Sequence, residues 1–368
     1  MVERRHIKNF DFTLALAALA IIAFGCVTIY SASSGGGSGT IYVEKQLIFA
    51  CIGMAAAAIL ASIDHSVYHR YAGKLYGWTL VVLLVVLKLG HQSKGAQRWI
   101  AIGPFQFQPS EFAKIAIIIA LAVFLVNRRE EIRSFKTFAI SFAYLAVPAV
   151  LIFRQPDLGT SLVLLAIWIT MSFVSGTDVR NILIFAAASA LLGLAAWHMP
   201  GLMKDYQKAR VISFINPSAD PLGSGYHVTQ SRIAIGSGQI LGKGYLKGTQ
   251  RKLRFIPEQH TDFIFTVVGE EMGFAGAAGL VGLYFVLLWR ALNIMSASED
   301  MTGRIIAAGI VGMFVFHVFV NIGMTLGIMP VTGVPLPLFS YGGSSMISNL
   351  MAIGLLEGIS MRRHRISF

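Results

Sequence analysis

Charge is scarce in this sequence. Asp, Glu, Lys and Arg make up 13% of its 368 residues, against 55% hydrophobic residues and a mean hydropathy of +0.67. That balance lies outside the range of water-soluble globular domains. Cysteine is nearly missing: Cys26 and Cys51 both fall in apolar runs, which excludes a disulfide framework and a thiolate metal site. No P-loop, dinucleotide fingerprint or internal repeat is visible.

Apolar length takes the place of charge. Runs long enough to cross about 30 Å of hydrocarbon recur from end to end, and helices are the spanning form that suits them. The expected architecture is an all-α polytopic membrane protein of about ten transmembrane helices, forming a single domain over 1–368. The expected cores are 12–30, 47–63, 71–89, 112–126, 138–153, 158–174, 182–197, 263–289, 305–328 and 340–359. A large extracytoplasmic loop, about 199–261, should join the seventh and eighth.

Positive residues beside a span resist translocation, so their placement gives the orientation. Arg4, Arg5 and Lys8, the loop "NRREEIRSFK", Arg290, Arg304, Arg362, Arg363 and Arg365 fall on one side when the number of spans is even. Both termini are therefore expected in the cytoplasm, with the chain multi-pass. "SAS" at Ser31–Ser33 has the small-x-small look of a signal-cleavage site. The first run is longer than a signal h-region, however, and removing it would break the charge agreement.

The net charge of +12 is largely accounted for by those loops and does not point to nucleic acid. The excess that needs explaining lies in 199–261, where Lys204, Lys208, Arg210, Arg232, Lys243 and Lys247 stand on the translocated side. Either this segment meets an anionic partner, or its cations sit at anionic lipid headgroups. Its glycine-rich stretch "GSGYHVTQSRIAIGSGQILGKGYLKGTQ" reads as neither a span nor a strongly periodic helix.

Several strings together carry a family resemblance: "SKGAQRWIAIGPFQFQPSEFAKIA", "QPDLGTS", "DPLGSGYHVTQSRIAIGSG", "GKGYLKGTQRKLRFIPEQHTDFIF", "GEEMG" and "GVPLPLFSYGGSS". In this order and combination the chain resembles the SEDS family of cell-wall polymerases. "GTQ" before "FIPEQHTDF" is similar to the elongation-type members more than to the division type. The resemblance implies a ten-helix peptidoglycan glycosyltransferase that polymerises lipid II on the outer face of the membrane. It also implies work with a class B penicillin-binding protein (a transpeptidase) and other membrane proteins of the elongation complex, without nucleic acid.

Such a reaction needs a base for the acceptor hydroxyl and stabilisation of a departing pyrophosphate. Asp262 is the candidate base, and the resemblance assigns the catalytic aspartate to this position in "HTDF". Thr261 or Asp262, directly before an apolar run, also reads as a helix N-cap, and a capping carboxylate is a poorer base. His260 either orients the proton or meets a headgroup. Glu111 and Lys114 share one helix face; they form either a structural pair or a substrate contact. Lys94, Arg98, Asp157 and Arg210 are further candidate substrate contacts, with Arg98 suited to clamp pyrophosphate. Glu270 and Glu271 read as structural or cavity-lining; adjacent on a helix, they should point about 100° apart, leaving at most one to face the site.

The glycan linkage that the resemblance implies calls for inversion by a single in-line displacement. No metal-ligand cluster is apparent, so no cofactor is required by the sequence, though Mg2+ or Mn2+ could assist the leaving group. The rival from another class is a flippase for lipid-linked sugar, which would need polar groups deeper across the bilayer. A rival among enzymes is another polyprenyl-pyrophosphate sugar transferase.

Overall fold

The computed structural model describes residues 9–35, 39–89, 91–93, 96–102, 105–199, 205–216, 224–249 and 259–362. Ten helices coincide with the ten apolar runs: α1 Phe12–Ser34, α2 Gly39–Ser62, α3 His65–Leu89, α4 Pro109–Asn127, α5 Phe135–Arg154, α6 Leu158–Val174, α7 Val179–His198, α10 Ile264–Ala297, α11 Met301–Leu326 and α12 Gly343–Met361. Among the described residues eight are long and apolar enough to cross a membrane, while α6 is a shorter apolar helix. A small antiparallel sheet, β1 His91–Ser93, β2 Ala96–Ile102 and β3 Phe105–Phe107, stands between α3 and α4.

The scarce acids begin helices. Asp11, Asp157, Asp178 and Asp300 cap α1, α6, α7 and α11, each carboxylate accepting a backbone N–H of the first turn. Asp11 also accepts from the Arg290 guanidinium (Nε 3.0 Å), and its backbone N–H donates to Glu357 Oε2 at 2.9 Å. Ser360 Oγ donates to the Asn9 carbonyl at 2.9 Å. These bonds put the start of α1 and the end of α12 at one end of the bundle.

Helices α4, α11 and α12 are buried on most faces, whereas Asn181 is the buried residue of α7. The α2–α12 seam closes on small residues: a Cβ at Gly354 would stand 2.3 Å from the Ala57 carbonyl oxygen. The expectation for 199–261 needs correction, because α8 Asp205–Ile215 and α9 Ser224–Ser237 lie within it. Helix α9 has little periodicity to read. It is held by tertiary contacts instead, including Ser231 Oγ donating to the Thr325 carbonyl at 2.6 Å.

Candidate active site

The helix after "HTD" begins at Ile264, with Phe263 in the cap position and no side-chain cap bond. Neither Thr261 nor Asp262 is the N-cap, which corrects that part of the sequence reading. The backbone of 260–262 is instead fastened from three directions. The Tyr341 N–H donates to the His260 carbonyl (2.9 Å), Ser340 Oγ to the Thr261 carbonyl (2.7 Å), and Asn321 Nδ2 to the Asp262 carbonyl (2.9 Å). Asp262 is half-buried. Its Oδ2 faces Gly333, where φ is +71° and a Cβ would stand 3.2 Å from that oxygen. The His260 ring lies 4.8 Å from Tyr42 and 5.5 Å from Tyr341.

The facing segment, 328–342, is irregular, exposed at Ile328 and Gly333 and buried from Leu336 to Ser340, and its carbonyls from Val334 to Pro337 are occupied in succession. Val334 O accepts from Asn321 Nδ2 (2.7 Å), Pro335 O pairs with His317 Nδ1 (3.0 Å), Leu336 O accepts from the Ser340 N–H (3.1 Å), and Pro337 O accepts from the Tyr284 hydroxyl (2.7 Å). Gln46 of α2 bridges the same segment, donating to Ser340 O at 3.0 Å and accepting from the Gly342 N–H at 3.3 Å.

Glu111 and Lys114 are paired behind this segment. Lys114 is fully buried; its Nζ lies 3.0 Å from both Glu111 oxygens and 3.2 Å from His317 Nε2. Ser348 Oγ of α12 donates to Glu111 Oε2 at 3.0 Å. In this arrangement the lysine is a buried partner of Glu111 and His317. His317 and Asn321, one turn apart on α11, were missed by sequence reasoning. The available signal was two polar side chains at i and i+4 inside an apolar run.

Asp157, the α6 cap, receives Gln108 Nε2 (3.3 Å) and stands 3.6 Å from the Arg98 guanidinium. Arg98 also donates to the Gln155 and Pro156 carbonyls. Two residues on, a Cβ at Gly159 would meet Thr332 O at 2.9 Å, so this helix start abuts the segment that faces Asp262. The Gln108 N–H donates to Ser344 Oγ at 2.9 Å, which ties the start of α4 to α12. Arg210 is half-buried on α8, and Lys94 lies outside the described residues. An apolar cavity of about 510 Å³ opens between α3 and α4 beside these groups, lined by Tyr71, Leu75, Trp78, Phe107, Phe112 and Met351.

Glu270 and Glu271 have a shared job that their spacing hides. Helix α10 breaks at Gly273 (φ +64°), so the chain there swaps helical bonds for bonds to a neighbouring loop. The carbonyls of Glu270 and Glu271 accept from the N–H groups of Lys243 and Gly244, each at 3.0 Å. The N–H groups of Phe274 and Ala275 donate to Gln239 O (2.8 Å) and Ile240 O (3.0 Å). The side chains bind the same loop. Glu270 Oε1 accepts from Lys243 Nζ (2.8 Å) and the Thr249 N–H (2.7 Å). Glu271 accepts from the Leu246 and Gly248 N–H groups, each at 3.2 Å, and from Ser31 Oγ at 2.6 Å. Both carboxylates bind the same loop, a convergence that their spacing along the helix does not show by itself.

Among the described residues no group of three or more His, Cys, Asp or Glu side chains could hold a metal ion. What the arrangement offers is a half-buried carboxylate on a segment fastened by three hydrogen bonds, with a guanidinium and an apolar cavity in the adjoining elements. This defines a multi-pass membrane protein in which Asp262, Asp157 and Arg98 lie together at the end of the bundle opposite the Asp11–Arg290–Glu357 cluster. A family model for cell cycle proteins, FtsW/RodA/SpoVE, matches residues 11–365, and the chain belongs to that family. It is 40% identical over 359 residues to the peptidoglycan glycosyltransferase MrdB of Escherichia coli K12, covering 98% of this chain and 95% of that one. It is 35% identical to the peptidoglycan glycosyltransferase RodA of Treponema pallidum, covering 98% and 99%. Among solved structures, a chain from a peptidoglycan synthase complex, described for its coordination of polymerization and crosslinking, superimposes with a TM-score of 0.84. It is 35% identical, with 97% of this chain and 99% of that chain covered. Thermus thermophilus RodA, at 31% identity and TM-score 0.71, covers 97% and 98%.

Proposed function

We propose that this chain is a RodA-type peptidoglycan glycosyltransferase that polymerises lipid II with Asp262 as general base. The carrying observation is that the Asp262 segment is fastened by Asn321, Ser340 and Tyr341 while Phe263 takes the helix cap. Rigid main-chain support of that kind is what orients a base for in-line attack. In the proposed step the acceptor 4-hydroxyl gives its proton to Asp262 and attacks the anomeric carbon. The bond to pyrophosphate breaks on the opposite face, inverting the centre.

Cations near the site balance the leaving charge; Arg98 and Arg210 are the proposed contacts, together with Lys94. Glu111, Lys114 and Asp157 support the site from behind, and His260 and Thr261 flank the base. The apolar cavity between α3 and α4 is of a size and polarity to take part of a polyprenyl tail. No step is routed through Mg2+ or Mn2+. The proposed setting is the bacterial cytoplasmic membrane with both termini in the cytoplasm. The proposed partners are a class B penicillin-binding protein and other elongation-complex membrane proteins. A flippase is not favoured, since the relatives that match nearly the whole chain are named glycosyltransferases.

The test is the purified chain with its transpeptidase partner and lipid II in detergent micelles, where no second membrane face exists. Wild-type protein should build glycan chains. Asp262→Asn should build none while staying folded, because the bond from Asn321 to the Asp262 carbonyl survives the change. Polymer from Asp262→Asn at a substantial fraction of the wild-type rate would remove Asp262 from the role of base.

A further inference from the structure

We propose that His317 is a positioning residue through which the buried Glu111–Lys114 pair sets the placement of the Asp262 segment; the inference rests on the reading of Asp262 as the base. The argument starts from hydrogen-bond inventory. An ammonium has donors only. Two point at the Glu111 carboxylate, and the remaining one meets His317 Nε2 at 3.2 Å. That nitrogen must therefore be the acceptor, which makes the imidazole neutral with its proton on Nδ1. Nδ1–H is then a donor, and the atom 3.0 Å from it is the Pro335 carbonyl, which can only accept.

One turn along the same face of α11, the two hydrogens of Asn321 Nδ2 reach Val334 O and Asp262 O. One helix face thus grips the carbonyls of two successive residues and the carbonyl of the base itself. Asn321 is fully buried and has no freedom to follow a different geometry. The tautomer of His317 is the adjustable element. Without the Lys114 ammonium, Nε2 loses the donor that holds it as an acceptor, and the Glu111 carboxylate, bonded to that same ammonium, becomes the acceptor that draws the proton to Nε2. Nδ1 would then present a lone pair to the Pro335 carbonyl, acceptor against acceptor, and the 333–336 segment would be pushed away. Gly333, which faces Asp262 Oδ2, lies in that segment. His317 touches no reacting atom in this scheme; it acts through the main chain.

The experiment combines a spectroscopic and a kinetic readout on the full chain. Protein labelled with 15N-histidine is compared for wild type, Lys114→Met and His317→Asn, the last assigning the His317 signals among nine histidines. Wild type should show the Nδ1–H tautomer, and Lys114→Met should move it toward Nε2–H. In lipid II polymerisation with the transpeptidase partner, His317→Phe should lower turnover roughly a hundredfold with KM changed less than about twofold, as expected for a misplaced group. His317→Asn, whose amide takes the place of Nδ1, should recover much of that turnover. Lys114→Met combined with His317→Phe should cost no more than His317→Phe alone.

An Nε2–H tautomer in wild type, turnover of His317→Phe equal to wild type, or additive losses in the double variant would each overturn the inference. Failure of His317→Asn to exceed His317→Phe, with both folded, would also overturn it. If wild-type protein makes no polymer while the Nδ1–H signal is present and moves in Lys114→Met, the polymerase reading falls and the link from Lys114 to Pro335 is supported.

Discussion

Replacing Lys114 with Met removes one member of a buried ion pair while keeping the length of the side chain. In the native chain the ammonium is fully shielded and Glu111 is nearly so, with side-chain exposures of 0% and 5%. After the change, Glu111 keeps the Ser348 hydroxyl as a donor at 3.0 Å. Stranding one member of such a pair costs about 3–5 kcal/mol. His317 is left with one acceptor unpaired in either tautomer, Nε2 or Nδ1, which adds about 1–3 kcal/mol. Removing both charges with Glu111→Gln and Lys114→Met strands no charge, and neutral replacements of buried pairs are often harmless or stabilising by about 1–4 kcal/mol. The single variant should therefore unfold at the lowest temperature, and the double variant should lie close to wild type. Unfolding of a membrane protein from detergent is seldom reversible, so the ranking is read as apparent Tm at one heating rate, from monodisperse protein surviving on size-exclusion chromatography. A single variant as stable as the double would show that the pair is solvated or already uncoupled, and the buried-triad reading would fail.

Gly333→Ala should lower turnover far more than it lowers Tm. A left-handed φ of +71° costs a non-glycine residue about 1–2 kcal/mol, while the new methyl stands 3.2 Å from the Asp262 carboxylate oxygen; wild-type turnover would contradict the close approach. Glu270→Gln with Glu271→Gln should speed proteolytic cleavage within 238–249, since each weakens charge-assisted bonds from that loop. An unchanged digestion rate would mean that the backbone bonds at the α10 break hold the loop without the carboxylates.

The apolar runs were legible because crossing hydrocarbon demands both length and composition, and each run lies on a helix. The segment 199–261 was less so. Helix α9 is held by contacts with distant elements rather than by a pattern of its own, and its glycines argued against it; α8, at 11 residues, is too short to stand out as a periodic run. The charges were readable as important but not as to purpose. Asp157 lies where a helix begins, and it caps one; Asp262 lies where a helix was expected to begin, but the chain turns through Gln259–Phe263 first. Glu270 and Glu271 keep their helical spacing ahead of the break at Gly273, but residues 243–249 bond to both carboxylates, and an angle measured along α10 alone could not show that loop.

Polar groups that sit singly inside apolar runs were the least legible, and the 334–337 segment shows why they are there. A loop folded into the apolar interior must find a partner for every backbone polar group, since no water is at hand to supply one. Pro335 and Pro337 reduce the demand by bringing no N–H, and the Leu336 N–H goes to Ser340 Oγ at 2.9 Å. The four carbonyls from Val334 to Pro337 then need four donors, and these come from Asn321, His317, the Ser340 N–H and Tyr284. A helix could have met the same demand internally, but its backbone would have been closed to Asp262. By leaving the segment irregular and supplying donors from α10 and α11, the fold brings Gly333 against the Asp262 carboxylate while leaving none of those four carbonyls unpaired. The rigidity proposed for the base therefore follows from the same hydrogen bonds that make the loop tolerable in the interior, and loss of any one donor should be felt first in turnover.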